Sequence, residues 1–309
     1  MAGAYAHLAV VNVASEMGRL EEARVPKSGI LAVKKYLGFC ELGSVSPDYP
    51  YLAIADSGAA EWADKMHYEK TGDVVQSLAK GVMALQGAEK EKALAWLLGY
   101  VAHVVTDMTI HPVVEDIVGP YAQNKREHRI CEMNQDAHIF PRLGLGEVGL
   151  SEHLKSGMQR CSQDGQLDET IKRLWESALQ QTYAQAFSGN KPDINKWNSR
   201  FLFMVGEIAE EGNRLIPLAR HVAVNLGLTY PDLAKLDQRF LTNIATPGGR
   251  KNYDDVFDLA VIHVVEAWRL VAESVEKSDL DALSFFGHWN LDTGRDVNTD
   301  KLVYWKEVA

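Results

Sequence analysis

Two histidines and an aspartate recur at four-residue intervals in His103-Val-Val-Thr-Asp107-Met-Thr-Ile-His111. On a helix this spacing puts the three side chains on one face, a turn apart. The run that contains them, Lys90 to Ile110, is the most apolar in the chain. A carboxylate buried there without a counter-charge is costly, and a bound cation removes that cost. A second pair, His128-x3-Glu132, repeats the spacing, and Asp136 continues its face. Two side chains at i and i+4 are a usual way for one helix to chelate one ion. A single His-x3-Asp is ordinarily a satisfied helix pair. Two such clusters flanking a turn carry more weight. Imidazole with carboxylate, and no thiolate, suits zinc, with iron and manganese also compatible.

Two further stretches offer ligands. Asp48 lies in the turn sequence Ser46-Pro47-Asp48-Tyr49, and His67 closes Trp62-Ala-Asp64-Lys-Met-His67-Tyr68. Standing alone, these would read as an Asx turn and a helix-surface histidine.

The elements that must position these residues are helical. A long amphipathic pattern covers Gly58 to Gln86. The apolar run 90–110 reads as a central buried helix that Pro112 ends or kinks. Another helix is expected over 124–138. Others are expected near 150–163, 167–188, 196–211, 213–226, 230–244 and 254–277, the last capped by Asn252 or Asp254. Strand signals are weak. Breaks rich in Gly, Pro and Asp fall at 43–50, 141–149 and 246–250. With 309 residues, 46% of them hydrophobic, one compact all-α domain over 1–309 is the economical reading.

Three cysteines, Cys40, Cys131 and Cys161, form no CxxC pair and are odd in number, which argues against a disulfide framework and excludes a Cys-rich metal site. The net charge of −10 does not favour non-specific binding to nucleic acid or to an anionic membrane, although a local cation cluster reverses the field at one site. The N-terminal stretch shows neither a basic region nor an apolar core with a cleavage site. No transmembrane stretch stands out, so a cytoplasmic location is expected, with signal-independent export compatible.

Taken in order, Ala2, His7, Asp48, His67, His103, Asp107, His111, His128 and Glu132 resemble the ligand signature of the zinc-dependent phospholipase C family. That superfamily also holds the fungal single-strand nucleases and the catalytic domain of glycosylphosphatidylinositol-specific phospholipase D. AGAYAHL, SPD, WADKMHY and LLGYVAHVVTDMTIHP look like the family's own motif neighbourhoods. The resemblance is strong over about the first 140 residues.

It implies an α-helical bundle with a multinuclear cleft of two to three zinc ions. Asp48, His67, His103 and Asp107 would hold the first ion. His111, His128 and Glu132 would hold the second. His7, Asp107 and the amine and carbonyl of Ala2 would hold the third, with Met1 removed and Asp107 bridging. Ala2 stands where the family usually has Trp. The Asp107–His111 spacing is shorter than in secreted bacterial phospholipases C and fungal nucleases, and closer to the phospholipase D branch.

The implied chemistry is phosphodiester hydrolysis, in which adjacent cations acidify water and clamp phosphoryl oxygens. Asp48 is the candidate for orienting or deprotonating the attacking water. Asp136 and His138 are candidates for hydrogen-bonding the ligands, although His138 reads first as an ordinary structural histidine. Asp64, Tyr68 and Glu69 are candidates for lining the cleft. The segment Phe285-Phe-Gly-His-Trp289 is read as core packing or cleft lining, with a lipid-contact surface as the alternative.

The expected substrate is a phospholipid cleaved in a phospholipase C-type reaction, with transient membrane-surface contact and no stable nucleic-acid partner. A nuclease or nucleotidase, a phospholipase D-type cleavage and a non-catalytic zinc-stabilised protein are the alternatives. The acidic balance counts against the nuclease. One closed four-ligand site would suffice for the non-catalytic protein. The Glu-x-x-His pairs of a di-iron bundle are absent.

Overall fold

The computed structural model describes residues 3–53, 57–143, 157, 160–210, 231 and 233–306. Helices dominate them. In chain order these are α1 (Ala4–Ala14), α2 (Met17–Glu22), α3 (Lys27–Lys35), α4 (Leu37–Val45), α5 (Ser57–Tyr68), α6 (Thr71–Met83), α7 (Gly87–Val118), α8 (Tyr121–Ile139), α9 (Glu169–Thr182), α10 (Ala184–Gly189), α11 (Ile194–Glu210) and α12 (Tyr253–Lys277). Sheet among the described residues is limited to two antiparallel hairpins, β1–β2 (Ser162–Gln163, Gln166–Leu167) and β3–β4 (Trp289–Asn290, Arg295–Asp296), and two isolated bridges.

The centre of the bundle is α7. Every residue from Ala93 to Val114 is buried, so the helix is enclosed on all sides, its one polar face included. It is long and apolar enough to cross a membrane, yet its most apolar window lies wholly inside the fold. Its main neighbours are α4 and α12. The α4 contact is close because two glycines face each other. A Cβ on Gly99 would sit 1.9 Å from the Cys40 carbonyl oxygen, and one on Gly43 2.1 Å from that of Trp96. On the other side, Trp268 of α12 is buried and donates its indole N–H to the Leu98 carbonyl at 2.7 Å. One apolar cluster runs from Ala4 to Trp305, so helices from both ends of the chain share a core.

Several boundaries differ from those the sequence predicts. The pattern 58–86 is two helices, broken at Lys70, whose φ of 49° is left-handed. Helix α7 does not end at Pro112 but runs six residues past it, to Val118. Proline there cannot donate to the Met108 carbonyl. The C-terminal segment covers this weak point. Gly294 packs against Met108 O and the Pro112 ring, and Trp305 Nε1 donates to Thr109 O at 2.8 Å. The helix expected over 124–138 starts earlier, at Tyr121, with a kink at Asn124.

The predicted helix 167–188 divides into α9 and α10, with Asp168 capping the first. Most of 150–163 and all of 213–226 lie outside the described residues. Where a helix is predicted over 230–244, the described residues form two short 3-10 turns, Leu233–Lys235 and Gln238–Phe240. The Asp237 side chain accepts from Arg239 N, and Asn134 Oδ1 accepts from Asp237 N, a local alternative to a helical ladder. Helix α12 is capped by Asn252, in a capping box with Asp255. The three cysteines are free and buried.

Candidate metal centre

The site is built on the polar face of α7. His103, Asp107 and His111 project from successive turns and are all buried. Around them the fold brings His7 from the first turns of α1, Asp48 from the 3-10 helix Ser46–Leu52, and His67 from the end of α5. None of these three is near α7 in sequence, and all are buried.

Four acceptor atoms converge. His67 Nε2 lies 3.2 Å from Asp48 Oδ1, 3.2 Å from His103 Nε2 and 3.9 Å from Asp107 Oδ2. His103 Nε2 lies 3.3 Å from Asp107 Oδ2 and 3.8 Å from Asp48 Oδ1. The shorter separations, 3.2–3.3 Å, are close to those of two donors on one ion with ~2.0 Å bonds, while His67 to Asp107 and His103 to Asp48 are wider, at 3.9 and 3.8 Å. The tautomers agree. His67 Nδ1 is 2.7 Å from the Ala63 carbonyl, and His103 Nδ1 is 2.9 Å from that of Ser44. A carbonyl can only accept, so each Nδ1 carries the proton and each Nε2 turns a lone pair to the centre. The glycine contact between α4 and α7 is what places Ser44 O against His103.

The second oxygen of Asp107 faces the other way. Oδ1 lies 3.3 Å from His7 Nε2 and 3.3 Å from His111 Nε2. His7 stacks on His103, ring centroids 4.2 Å apart. Two groups whose ligand atoms all lie within 4.8 Å of one another stand out: His7, His103 and Asp107, and Asp48, His67 and His103. Both ring nitrogens of His7, Nε2 of His111 and Oδ1 of Asp48 are buried with no hydrogen-bond partner among the described residues. Each such atom costs about 1–3 kcal/mol. Divalent ions held among these side chains would remove that cost, so the residues present fit a metal centre.

Charge follows the same geometry. Burial pushes Asp107 up, but the imidazoles of His111, His103 and His7 outweigh it and hold the carboxyl well below its usual range. Asp48 is likewise lowered, burial being overcome by His103 and His67. Burial lowers His7 and His111. For His103 burial is outweighed by Asp107 and Asp48, and its pKa is raised.

His128 and Glu132 are buried one turn apart on α8. They belong to neither close group. His128 Nε2 lies 2.6 Å from the Gly119 carbonyl, which leaves Nδ1 as its free ligand atom. Glu132 Oε2 is 3.2 Å from Arg129 Nη1. Both stand within electrostatic range of His111 or each other, and burial lowers His128. Ala2 lies outside the described residues.

The candidate supporting residues lie in different surroundings. His138 is not at the centre; it is partly exposed and its Nε2 pairs with Asp254 Oδ2 at 2.8 Å, because it lies off the buried face of α8. Asp136 is buried on α8. Its Oδ1 accepts from Ala6 N at 2.9 Å, holding the first turn of the helix that carries His7. Asp64 accepts from Tyr51 OH at 2.5 Å, whereas Glu69 is exposed and faces Lys65. Phe286 and Trp289 are core residues, and Phe285 is about half exposed.

Sequence reasoning missed Asp292. This buried carboxylate sits in the turn between β3 and β4, with Oδ2 accepting from Tyr68 OH at 2.5 Å and Oδ1 3.7 Å from His111 Nδ1. Asp-Thr-Gly reads locally as a turn, and nothing in its spacing points to α7.

A family model described as zinc dependent phospholipase C matches residues 6–190, which include His7, Asp48, His67, His103, Asp107, His111, His128 and Glu132. No curated protein and no solved structure matches the chain.

Proposed function

From its membership of the zinc-dependent phospholipase C family, we propose that the chain hydrolyses phosphodiesters, with phospholipids as substrates, in a phospholipase C-type reaction. The observation that carries the proposal is that two buried groups, Asp48 with His67 and His103, and His7 with His103 and Asp107, each bring their ligand atoms within 4.8 Å of one another and share His103. Asp48, His67, His103 and Asp107 would hold one zinc ion, His7 and Asp107 would contribute to another, and His111, His128 and Glu132 would supply a further set, for two to three ions in all.

Zinc held there supplies Lewis acidity, acidifying water and neutralising charge on the phosphoryl oxygens. The protein's own groups do the rest. Asp107 presents one oxygen to each side of the centre and keeps the two sides in register. Asp48, held ionised at the edge of the cluster, orients the attacking water. The carbonyls of Ala63 and Ser44 fix the tautomers of His67 and His103. In the overall reaction water attacks phosphorus, the bond from phosphorus to the glycerol oxygen breaks, and that oxygen leaves protonated as diacylglycerol. Contact with the lipid surface is transient in this reading.

The test is product analysis on mixed phospholipids and on single-stranded nucleic acid, with and without chelator. Release of a phosphorylated headgroup, stopped by chelator, is the expected result. Mononucleotides would make the chain a nuclease on the same centre, and phosphatidic acid a phospholipase D-type enzyme. Full metal occupancy with no turnover would overturn the enzymatic reading.

A further inference from the structure

We propose that Asp292 is a positioning residue for His111, so that the C-terminal hairpin, outside the family-matched residues, completes the metal centre. The inference rests on reading the site as a metal centre.

The His111 ring lies between two carboxylates. Nε2 faces Asp107 Oδ1 at 3.3 Å, and Nδ1 faces Asp292 Oδ1 at 3.7 Å. A ligand histidine whose second nitrogen faces a carboxylate is fixed in tautomer and orientation and binds metal more strongly. At 3.7 Å the two groups interact through charge rather than through a hydrogen bond. A carboxylate facing Nδ1 favours the tautomer with the proton on that nitrogen, which leaves the Nε2 lone pair for the cation side.

Asp292 is held firmly enough for this work. Tyr68, next to His67 in the chain, donates to its Oδ2 at 2.5 Å. Its backbone N–H donates to Asn290 Oδ1 at 3.0 Å. The preceding residue, Leu291, donates its N–H to the carbonyl of His67 itself at 3.0 Å. Trp289 N donates to Thr71 Oγ1 at 2.8 Å. On the other flank, Gly294 adopts φ +66° and rests on Pro112, the residue after His111; a Cβ there would be 2.2 Å from the proline ring. The hairpin is thus pinned to the end of α5 and to α7 at once, with Asp292 at the junction.

The experiment uses the full chain, stripped with chelator and titrated with zinc against a competing chelator, with Co2+ substitution followed by its visible spectrum. Asp292→Asn and Asp292→Ala are expected to weaken one metal equivalent by about 10–100-fold. They are expected to change the Co2+ spectrum while leaving the helical circular dichroism of the stripped protein unchanged. Asp292→Glu should restore part of the affinity. Should Asp292→Ala fail to fold, Asp292→Asn, which keeps shape and volume, decides by the same readout. Unchanged stoichiometry, affinity and spectrum in these variants would overturn the proposal while the wild type still binds zinc. A wild type that binds no zinc would overturn the metal-centre reading itself.

Discussion

The Nε2 atoms of His67 and His103 lie 3.2 Å apart although each ring has committed its Nδ1 proton to a backbone carbonyl. Two lone pairs at that distance repel unless a cation or an extra proton lies between them. Zinc should therefore stabilise the folded chain, by about 2.7 kcal/mol when free zinc is 100 times Kd. Thermal melts in chelator and in zinc measure this. His67→Ala and His103→Ala should abolish most of the increment, and a melting temperature indifferent to zinc in the wild type would count against the centre.

Asp107 serves both sides of the site, Oδ2 towards His67 and His103, Oδ1 towards His7 and His111. Asp107→Asn keeps the volume but removes the charge that both sides share. It should lower hydrolysis by more than ~100-fold and cost more than one metal equivalent. Metal counting on the purified variant checks the second point. Loss of a single equivalent would mean that the two oxygens do not serve separate ions.

The approach of α4 to α7 is set by Gly99 and Gly43. Gly99→Ala would place a methyl group 1.9 Å from the Cys40 carbonyl and 3.0 Å from Gly43 Cα. The helices must separate, at a cost of about 1–3 kcal/mol or more. The separation also draws Ser44 O away from His103 Nδ1. Reduced stability in urea should therefore come with weaker zinc binding. A variant that loses stability but binds zinc as tightly as wild type would show that the carbonyl does not matter.

Acid sensitivity has an identifiable source away from the centre. Burial lowers the His263 pKa from 6.5 to about 4. Its Nδ1 lies 3.1 Å from Thr109 Oγ1, and its ring packs on Tyr304 with centroids 4.5 Å apart. The folded value lies below the unfolded one, so the unfolded chain takes up the proton first as pH falls. The stabilising contribution is complete above about 6.5 and is lost on the way down to about 4. It amounts to something on the order of 3 kcal/mol. Urea unfolding of chelated protein at pH 7 and near pH 4 should show a smaller acid loss in His263→Gln than in wild type. Equal losses would assign the sensitivity elsewhere.

Local periodicity made part of this molecule readable in advance. The i, i+4 repeat of His103, Asp107 and His111 depends only on α7 being a helix, and the apolar residues around it leave no other reading. His128 and Glu132 follow from α8 in the same way. Spacing alone does not say which face of a helix is buried, so it left His138 between a structural and a supporting role, and the structure gives the structural one. Of the two outcomes expected at Pro112, an end or a kink, the end does not occur, and contacts from residues near the C-terminus cover the missing helical hydrogen bond. The long pattern 58–86 hid a break at Lys70, since both halves are amphipathic.

By itself, then, the sequence determined that the chain is helical and which histidines and carboxylates share a face on α7 and α8, because helix geometry is a property of neighbouring residues. Only the tertiary structure decided that His7, Asp48 and His67 meet that face, that Asp136 anchors α1, and that Asp292 reaches His111 from the far end of the chain. Those meetings depend on how closely helices pack, through contacts such as Gly43 against α7 and Gly294 against Pro112, and no periodicity along the chain encodes them.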